Sequence, residues 1–250
     1  MTPPLFWVDE VPAAGDAVTV SGPEGKHAVT VTRMRKGEHV VLGDGRGTLA
    51  DCEVVDVSGK DRLTVRASRV EFATAPKPRV TVVQAIPKSD RAELAVDLMT
   101  EAGVDAVMPW QSARCVARWN GSRAEKGVAK WRATAATAAK QARRPWIPEI
   151  TDLATTIDVR DLCSRVAADG GVVALLHEAG ATSFRSIDFS TAPEVVLVIG
   201  PEGGLDDGEL ADLTALGGQA VVLGPEVLRT VAAGAVALGA LGAVTDRWTR

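Results

Sequence analysis

A chain of 250 residues, 46% apolar and 24% charged, has ample material for a packed core and the length of one large domain or two smaller ones. No apolar run reaches spanning length, residues 1–10 carry no basic stretch ahead of an apolar one, and Cys52, Cys115 and Cys163 lie far apart without a CxxC pair. A membrane span, a secretory leader, a disulfide framework and a zinc site are therefore not expected, and the chain reads as a reduced, cytoplasmic protein.

The net charge of −4 conceals an uneven distribution. Residues 111–146 carry nine Lys/Arg against one acid, whereas residues 147–250 carry six basic residues against fifteen acids. A basic block inside an acidic protein is a local field that steers polyanions, or else one solvated helix face.

Residues 1–72 have the pattern of a small β domain, with short alternating runs at 17–21, 28–32, 39–42, 48–57 and 63–69. Turn signals separate them, among them Ser21-Gly22-Pro23 and Gly43-Asp44-Gly45, which suggests a small barrel or sandwich. The segment 26–36 carries no acid, and if it alternates as a strand Val31, Arg33 and Arg35 share one face, where the arginines could hold phosphates or protect a sheet edge. Residues 73–78 are small and proline-bearing, the composition of a linker, and residues 79–250 follow as a second domain.

From residue 80 the texture changes to strand alternating with helix. Strands are expected at 80–86, 105–108, 171–176, 195–199 and 220–223. Helices are expected at 90–102, 122–142, 157–168 and 206–216, with a last one from about 227 to 248. Ser89 or Asp90 would cap the first helix, whose inward face would be Ala92, Leu94, Ala95, Leu98, Met99 and Ala102. The second, alanine-rich and basic, would bury Val128, Trp131, Ala135, Ala138 and Ala142. This alternation argues for an α/β domain with a largely parallel sheet covered on both faces.

Two strands of that sheet end in Gly-Pro-Glu loops, Gly200-Pro201-Glu202 and Gly224-Pro225-Glu226, and a third ends at His177-Glu178. Adjacent strand ends of this kind form a crevice for a small ligand. Neither the GxxxxGK[ST] nor the GxGxxG spacing is present, and Glu202 would set a charge against a pyrophosphate. The loops suit an uncharged or cationic nucleoside better. His27, His39 and His177 show no metal-ligand spacing, and no GxSxG elbow occurs. Arg229, between the second loop and an apolar helix, has no evident packing role and is the candidate polar group of the crevice. The small-residue helix that follows reads as a buried core helix or a subunit interface.

The run Leu197-Val198-Ile199-Gly200-Pro201-Glu202-Gly203-Gly204, with Leu223-Gly224-Pro225-Glu226-Val227-Leu228-Arg229-Thr230, resembles the RsmE family. These are the 16S ribosomal RNA (uracil-N3) methyltransferases of the SPOUT superfamily. Lys88-Ser89-Asp90-Arg91, Thr100-Glu101-Ala102-Gly103-Val104, and the basic helix from Lys130-Trp131-Arg132 to Arg143-Arg144 are similar to it as well, so the likeness runs along nearly the whole chain.

The resemblance implies an N-terminal PUA-like RNA-binding barrel over residues 1–72 and a C-terminal SPOUT α/β domain with a trefoil knot over residues 79–250. It implies a cytoplasmic homodimer that uses S-adenosylmethionine, needs no metal or membrane, and methylates uridine N3 in the 16S rRNA of the 30S subunit. Carried over by position, the cofactor residues are Leu176, His177, Glu178, Ile199, Gly200, Pro201, Glu202, Gly203, Gly204, Leu223, Gly224, Val227, Leu228 and Thr230. Arg229 is the implied catalytic residue, and Arg33, Arg35, Lys140, Arg143 and Arg144 the implied phosphate contacts. At one position the chain departs from the family pattern, with Val231 where a glutamate is usual. A non-catalytic RNA-binding or assembly factor on the same fold, or a methyltransferase with another RNA target, are the alternatives.

Overall fold

The computed structural model of the protein describes residues 2–88, 91–178, 180 and 182–249. It has two compact units, Met1–Ala75 with Ala139–Ile147, and Pro76–Ala138 with Pro148–Arg250. The break after Ala75 falls inside the segment expected to be a linker. Residues 139–147, assigned from sequence to the second domain, belong to the first unit instead.

In the first unit, β1 (Leu5–Trp7), β2 (Ala17–Val20), a short helix α1 (Gly22–Lys26), β3 (His39–Gly43), β4 (Thr48–Ser58) and β5 (Arg62–Phe72) follow in order. The sheet order is β1-β3-β4-β5-β2, antiparallel except for the parallel β1–β3 pair. Period-two alternation sends Ala50, Cys52 and Val54 of β4 and Leu63, Val65 and Ala67 of β5 into one core with Phe6, Val40 and Leu42. Register shifts between Asp51 and Cys52 and between Val54 and Asp56 mark bulges, which bend such a long strand pair.

The expected strand over residues 28–32 is not a strand. Pro23 opens α1, and the chain continues as a π-helical turn, His27–Val31, closed by Thr32 N–H donating to His27 O at 2.8 Å. Ala28 is buried while Thr30 and Thr32, which would share its face in a strand, are exposed. Arg33 then takes a left-handed conformation (φ 59°), so Arg33 and Arg35 do not share a strand face.

The returning segment, residues 139–147, is held through two glycines of the first unit. Gly45 and Gly47 have φ of +68° and +102°, and a Cβ on them would lie 2.5 Å from Ile147 Cδ1 and 2.4 Å from Trp146 Cζ2. Gly47 N donates to Pro145 O and Ile147 N to Gly45 O, both at 3.0 Å. Trp146 Nε1 donates to Ala73 O at 3.1 Å, and its ring meets Phe72 edge-on. Gly43-Asp44-Gly45, read as a turn signal, is therefore also a docking groove.

The second unit contains β6 (Arg79–Ala85), α2 (Ala92–Glu101), β7 (Ala106–Trp110), and α3 (Ser122–Gln141) as far as Ala138. After these come β8 (Glu149–Ile150), α4 (Thr156–Ala168), β9 (Val172–Leu176), β10 (Thr182–Ser183), β11 (Glu194–Ile199), α5 (Asp207–Ala215), β12 (Gln219–Val222) and α6 (Thr230–Val244). The strands form one sheet, β10-β12-β9-β11-β6-β7-β8, with every pairing parallel. Val195, Val196, Leu197 and Val198 of β11 and Val80, Val82 and Val83 of β6 are completely buried, as central parallel strands require.

Helix ends follow side-chain chemistry. Thr155 caps α4 in a reciprocal pair with Asp158, and Asp206 caps α5 with Glu209. The caps proposed for α2, Ser89 and Asp90, lie outside the described residues. The buried face of α2 is Ala92, Ala95, Val96, Met99 and Thr100, whereas Leu94 is 45% exposed. The expected stripe thus sat one face too far round at Leu94. On α3, Val128, Trp131, Ala135 and Ala138 are buried as expected, but Ala142 lies past the helix end and is exposed. Residues 227–229 are loop, so the last helix starts at Thr230. It ends at Val244, ahead of a separate 3-10 turn, Asp246–Trp248. On α6, a Cβ on Gly234 would fall 2.5 Å from Met99 Sδ, so the small residues admit α2 at close range.

Candidate functional site

β6 leads through α2 to β7 in one direction along the sheet, whereas β11 leads through α5 to β12 in the other. The order in which the chain connects strands therefore changes direction at the parallel neighbours β6 and β11, and an open parallel sheet leaves a crevice beyond its carboxyl ends near such a point. A cleft of about 820 Å³ lies next to that point, beyond the carboxyl ends of β11, β9 and β12. The ends of β9, β11 and β12 supply most of its wall, and Lys88 and Arg91 enter from the connection after β6.

Each loop is held by its own contacts. The turn after β11 closes with Gly204 N donating to Pro201 O at 2.9 Å, and Gly204 has φ of +72°. Leu205, almost wholly buried, anchors its far end. Arg114 braces the same loop, donating to Leu205 O at 2.9 Å and Gly203 O at 3.4 Å, and pairing with Asp206 and Asp207. Lys88 N donates to Glu202 Oε1 at 2.9 Å, which ties the β6 connection to the β11 loop. Across the cleft, His177 N donates to Val221 O at 3.0 Å.

Thr230, first residue of α6, links three elements. Its hydroxyl donates to Gly200 O at 2.5 Å and accepts from Gln84 Nε2 at 3.2 Å. Gln84, one residue from the carboxyl end of β6, is completely buried, and its Nε2 also donates to Ala85 O. Directly before Thr230, Arg229 is the exposed N-cap residue of α6, and its carbonyl accepts from Ala232 N and Ala233 N. The Arg229 side chain makes no hydrogen bond or ion pair among the described residues, in contrast to the braced Arg114 on the same cleft.

Every residue assigned from sequence to the cofactor loops lines this cleft, from Leu176, His177 and Glu178 through the glycine loop to Val227, Leu228 and Thr230, and Arg229 lines it with them. Lys88, Arg91, Arg114, Leu205, Val221, Val222, Glu226, Val231 and Ala233 also line it and were not assigned. Lys88 and Arg91 could have been found as the basic residues immediately after a buried strand next to β11. Val231 is half-buried, with its side chain packed on the core.

The residues assigned to RNA phosphates all belong to the first unit. Arg33 and Arg35 are exposed there, and Arg143 is exposed with φ of 54°. Arg144 is half-buried. Lys140 does not fit its assignment: its side chain is only 13% exposed, and Nζ lies 2.8 Å from Glu24 Oε1 and over the Phe6 ring. An ammonium so enclosed is a structural tie between the end of α3 and α1.

Residues 20–68 match the RNA methyltransferase PUA domain, and residues 74–242 the RNA methyltransferase domain. Ribosomal RNA small subunit methyltransferase E of Mycobacterium bovis is 50% identical over 245 residues, 98% of this chain and 93% of that protein. The chain belongs to the ribosomal RNA small subunit methyltransferase E family. The family member of Bacillus subtilis is 31% identical over 91% of this chain and 90% of its own length. The crystal structure of the methyltransferase E from Neisseria gonorrhoeae bound to S-adenosyl methionine has a TM-score of 0.85, with 25% identity and 98% of both chains covered. A methyltransferase from Legionella pneumophila in complex with the same cofactor gives 0.84 at 28% identity, covering 98% of this chain and 99% of that one. The PUA match falls wholly in the first unit, and most of the methyltransferase match falls in the second.

Proposed function

We propose that this ribosomal RNA methyltransferase modifies N3 of a uridine in 16S rRNA, with Arg229 as the residue that acts on the base. The observation that carries the reading is the position of Arg229. It is an exposed guanidinium, unpaired among the described residues, that lines a cleft whose loops come from three neighbouring strand ends. The cleft fits S-adenosylmethionine on its donor set. Backbone groups and the carboxylates of Glu178, Glu202 and Glu226 line it, and its volume lies within the usual range of small-ligand pockets (about 300–1,000 Å³). Leu176–Glu178, Ile199–Gly204 and Leu223–Thr230 would hold the cofactor. When bound, it supplies an electrophilic methyl group on a sulfonium.

The protein's task is then to place and polarise the base. Uracil N3 sits on the pairing edge, so the uridine must be unpaired or splayed out. N3 must also give up its proton, and the charge that develops spreads onto the flanking carbonyl oxygens. The Arg229 guanidinium would donate hydrogen bonds to that charge. Exposed Arg33, Arg35 and Arg143, with Arg144, would hold RNA phosphates. In this reading the protein works in the cytoplasm as a homodimer. Its chain also forms a trefoil knot, which is consistent with β12 taking its place between β9 and β10, two strands laid down earlier.

Purified protein, labelled cofactor and 30S particles lacking the modification test the assignment. Arg229→Ala should lose at least about a hundredfold in turnover, the scale of removing one donor to a developing anion, with cofactor affinity retained. Full activity in that variant would remove Arg229 from the mechanism. Cofactor uptake without any transfer by the wild-type protein would favour the non-catalytic alternative.

A further inference from the structure

A second cavity lies in the methyltransferase unit, outside the cleft described above. Its volume is about 450 Å³, and Pro87, Ala92, Ala117, Trp119 and Gly127 form its apolar walls. Arg123, Lys126 and Lys130 border it from α3, and Glu93 is the one acid among the residues that line it. Lys130 neutralises Glu93 at 2.9 Å. Arg123 and Lys126 are exposed, and their side chains make no ion pair among the described residues. The local charge is therefore positive although the protein is acidic overall.

Trp119 is a preformed wall. Its backbone N donates to Gln111 Oε1 at 2.8 Å, and Gln111 Nε2 donates to Ala117 O at 3.0 Å, so one side chain staples the segment. The half-buried indole stands edge-on to the wholly buried Trp131. A Cβ on Gly127 would fall 2.7 Å from the Trp119 ring, so glycine at this point of α3 lets the indole approach the helix. An aromatic wall, apolar neighbours and cations without an ion pair among the described residues are the elements that hold an unpaired base and its phosphates.

The two cavities are neighbours. Lys88 and Arg91 line the first, and Pro87 and Ala92, adjacent to them in sequence, line the second. We propose that the second cavity receives an unpaired nucleotide of the RNA strand flanking the target, with its base against Trp119 and its phosphates on Arg123 and Lys126. This rests on the rRNA methyltransferase reading and adds a substrate subsite to it.

The probe is a short single-stranded oligouridylate titrated against the full chain. Trp119→Ala should weaken binding by about tenfold, the scale of one lost stack, and Trp119→Phe should recover most of it. Arg123→Ala with Lys126→Ala should reduce the slope of log K against log salt by about 1.4, the counterion release of two single-strand phosphate contacts. On 30S particles these variants should raise KM with little change in kcat, and affinity for S-adenosylmethionine should stay at the wild-type value. Unchanged oligonucleotide binding in the folded variants overturns the proposal. So does a change in sedimentation mass, which would assign the cavity to a second copy of the chain. Wild-type protein that binds the oligonucleotide through Trp119 but never methylates 30S particles would refute the uridine reading and leave the subsite standing.

Discussion

Thr230→Val is the sharpest structural perturbation of the cleft, because it keeps the shape of the side chain and removes only the hydroxyl. Two hydrogen bonds go with it, the one donated to Gly200 O and the one accepted from Gln84 Nε2. Gln84 is completely buried and its Oε1 has no partner among the described residues, so the amide would keep only Ala85 O. A buried polar group left unmade costs about 1–3 kcal/mol. Gly200 is half-buried, and water can repair part of its loss. The sum is about 2–3 kcal/mol, or a fall of about 4–12 °C in Tm for a unit of this size. Because the bond to Gly200 O fixes the glycine loop against α6, affinity for S-adenosylmethionine should drop by about tenfold, close to 1.4 kcal/mol. Thermal unfolding and calorimetric titration read the two effects, and Thr230→Ser should restore both. If Thr230→Val melts with the wild type and binds cofactor equally well, Thr230 does not latch the cleft.

Other outcomes follow from the packing. Arg247 donates to Asp105 Oδ2 at 2.8 Å and to the carbonyls of Pro78 and Gly103, with 4% of its side chain exposed. Arg247→Ala should therefore cost about 3–5 kcal/mol in urea unfolding, and adding Asp105→Asn should recover part of the loss. Thr155→Ala should cost about 1 kcal/mol as a lost cap. Backbone and side-chain hydrogen bonds from Thr155 hold the Asp158 carboxyl below its ordinary range, with a small opposing effect of burial. That stability is present above the unfolded carboxylate value of about 3.9 and is lost as pH falls through the lower folded value. Wild type and Thr155→Ala should therefore converge in acid unfolding curves. Burial pushes the Cys163 thiol up to about 12, and burial aided by Asp51 pushes Cys52 up to about 11. Neither should react with a thiol reagent at pH 8 until the protein unfolds. Lys140→Met should destabilise the first unit measurably while leaving the salt slope of RNA binding unchanged.

The helices of the second unit and five of its strands were legible because burial on two faces leaves unbroken apolar runs, as in β6 and β11, and glycine loops mark their ends; the two-residue edge strands β8 and β10 are too short to carry a pattern and were not expected. The cleft was legible for the same reason, since residues 176–178, 199–204 and 223–230 all follow such strands. What sequence did not show came from contacts between distant segments. Nothing local reveals that Trp146 and Ile147 fill the space above Gly45 and Gly47. Around the π-helical turn at His27–Val31, Val29-Thr30-Val31-Thr32 alternates apolar and polar residues as a strand would, and only the hydrogen bond from Thr32 N to His27 O reveals the turn. Lys140 looked like a free cation because Glu24, its partner, is more than a hundred residues away. The second cavity escaped notice because Pro87, Trp119 and Lys126 meet only in three dimensions.

The claim that the cleft methylates uridine N3 is tested most directly by nucleoside mapping. 30S particles lacking the modification are incubated with the protein and labelled S-adenosylmethionine, and the 16S rRNA is digested and analysed by mass spectrometry. The account predicts label on N3 of a single uridine with wild-type protein and its loss with Arg229→Ala. Label on another atom or another nucleoside, or undiminished label with Arg229→Ala, would contradict it.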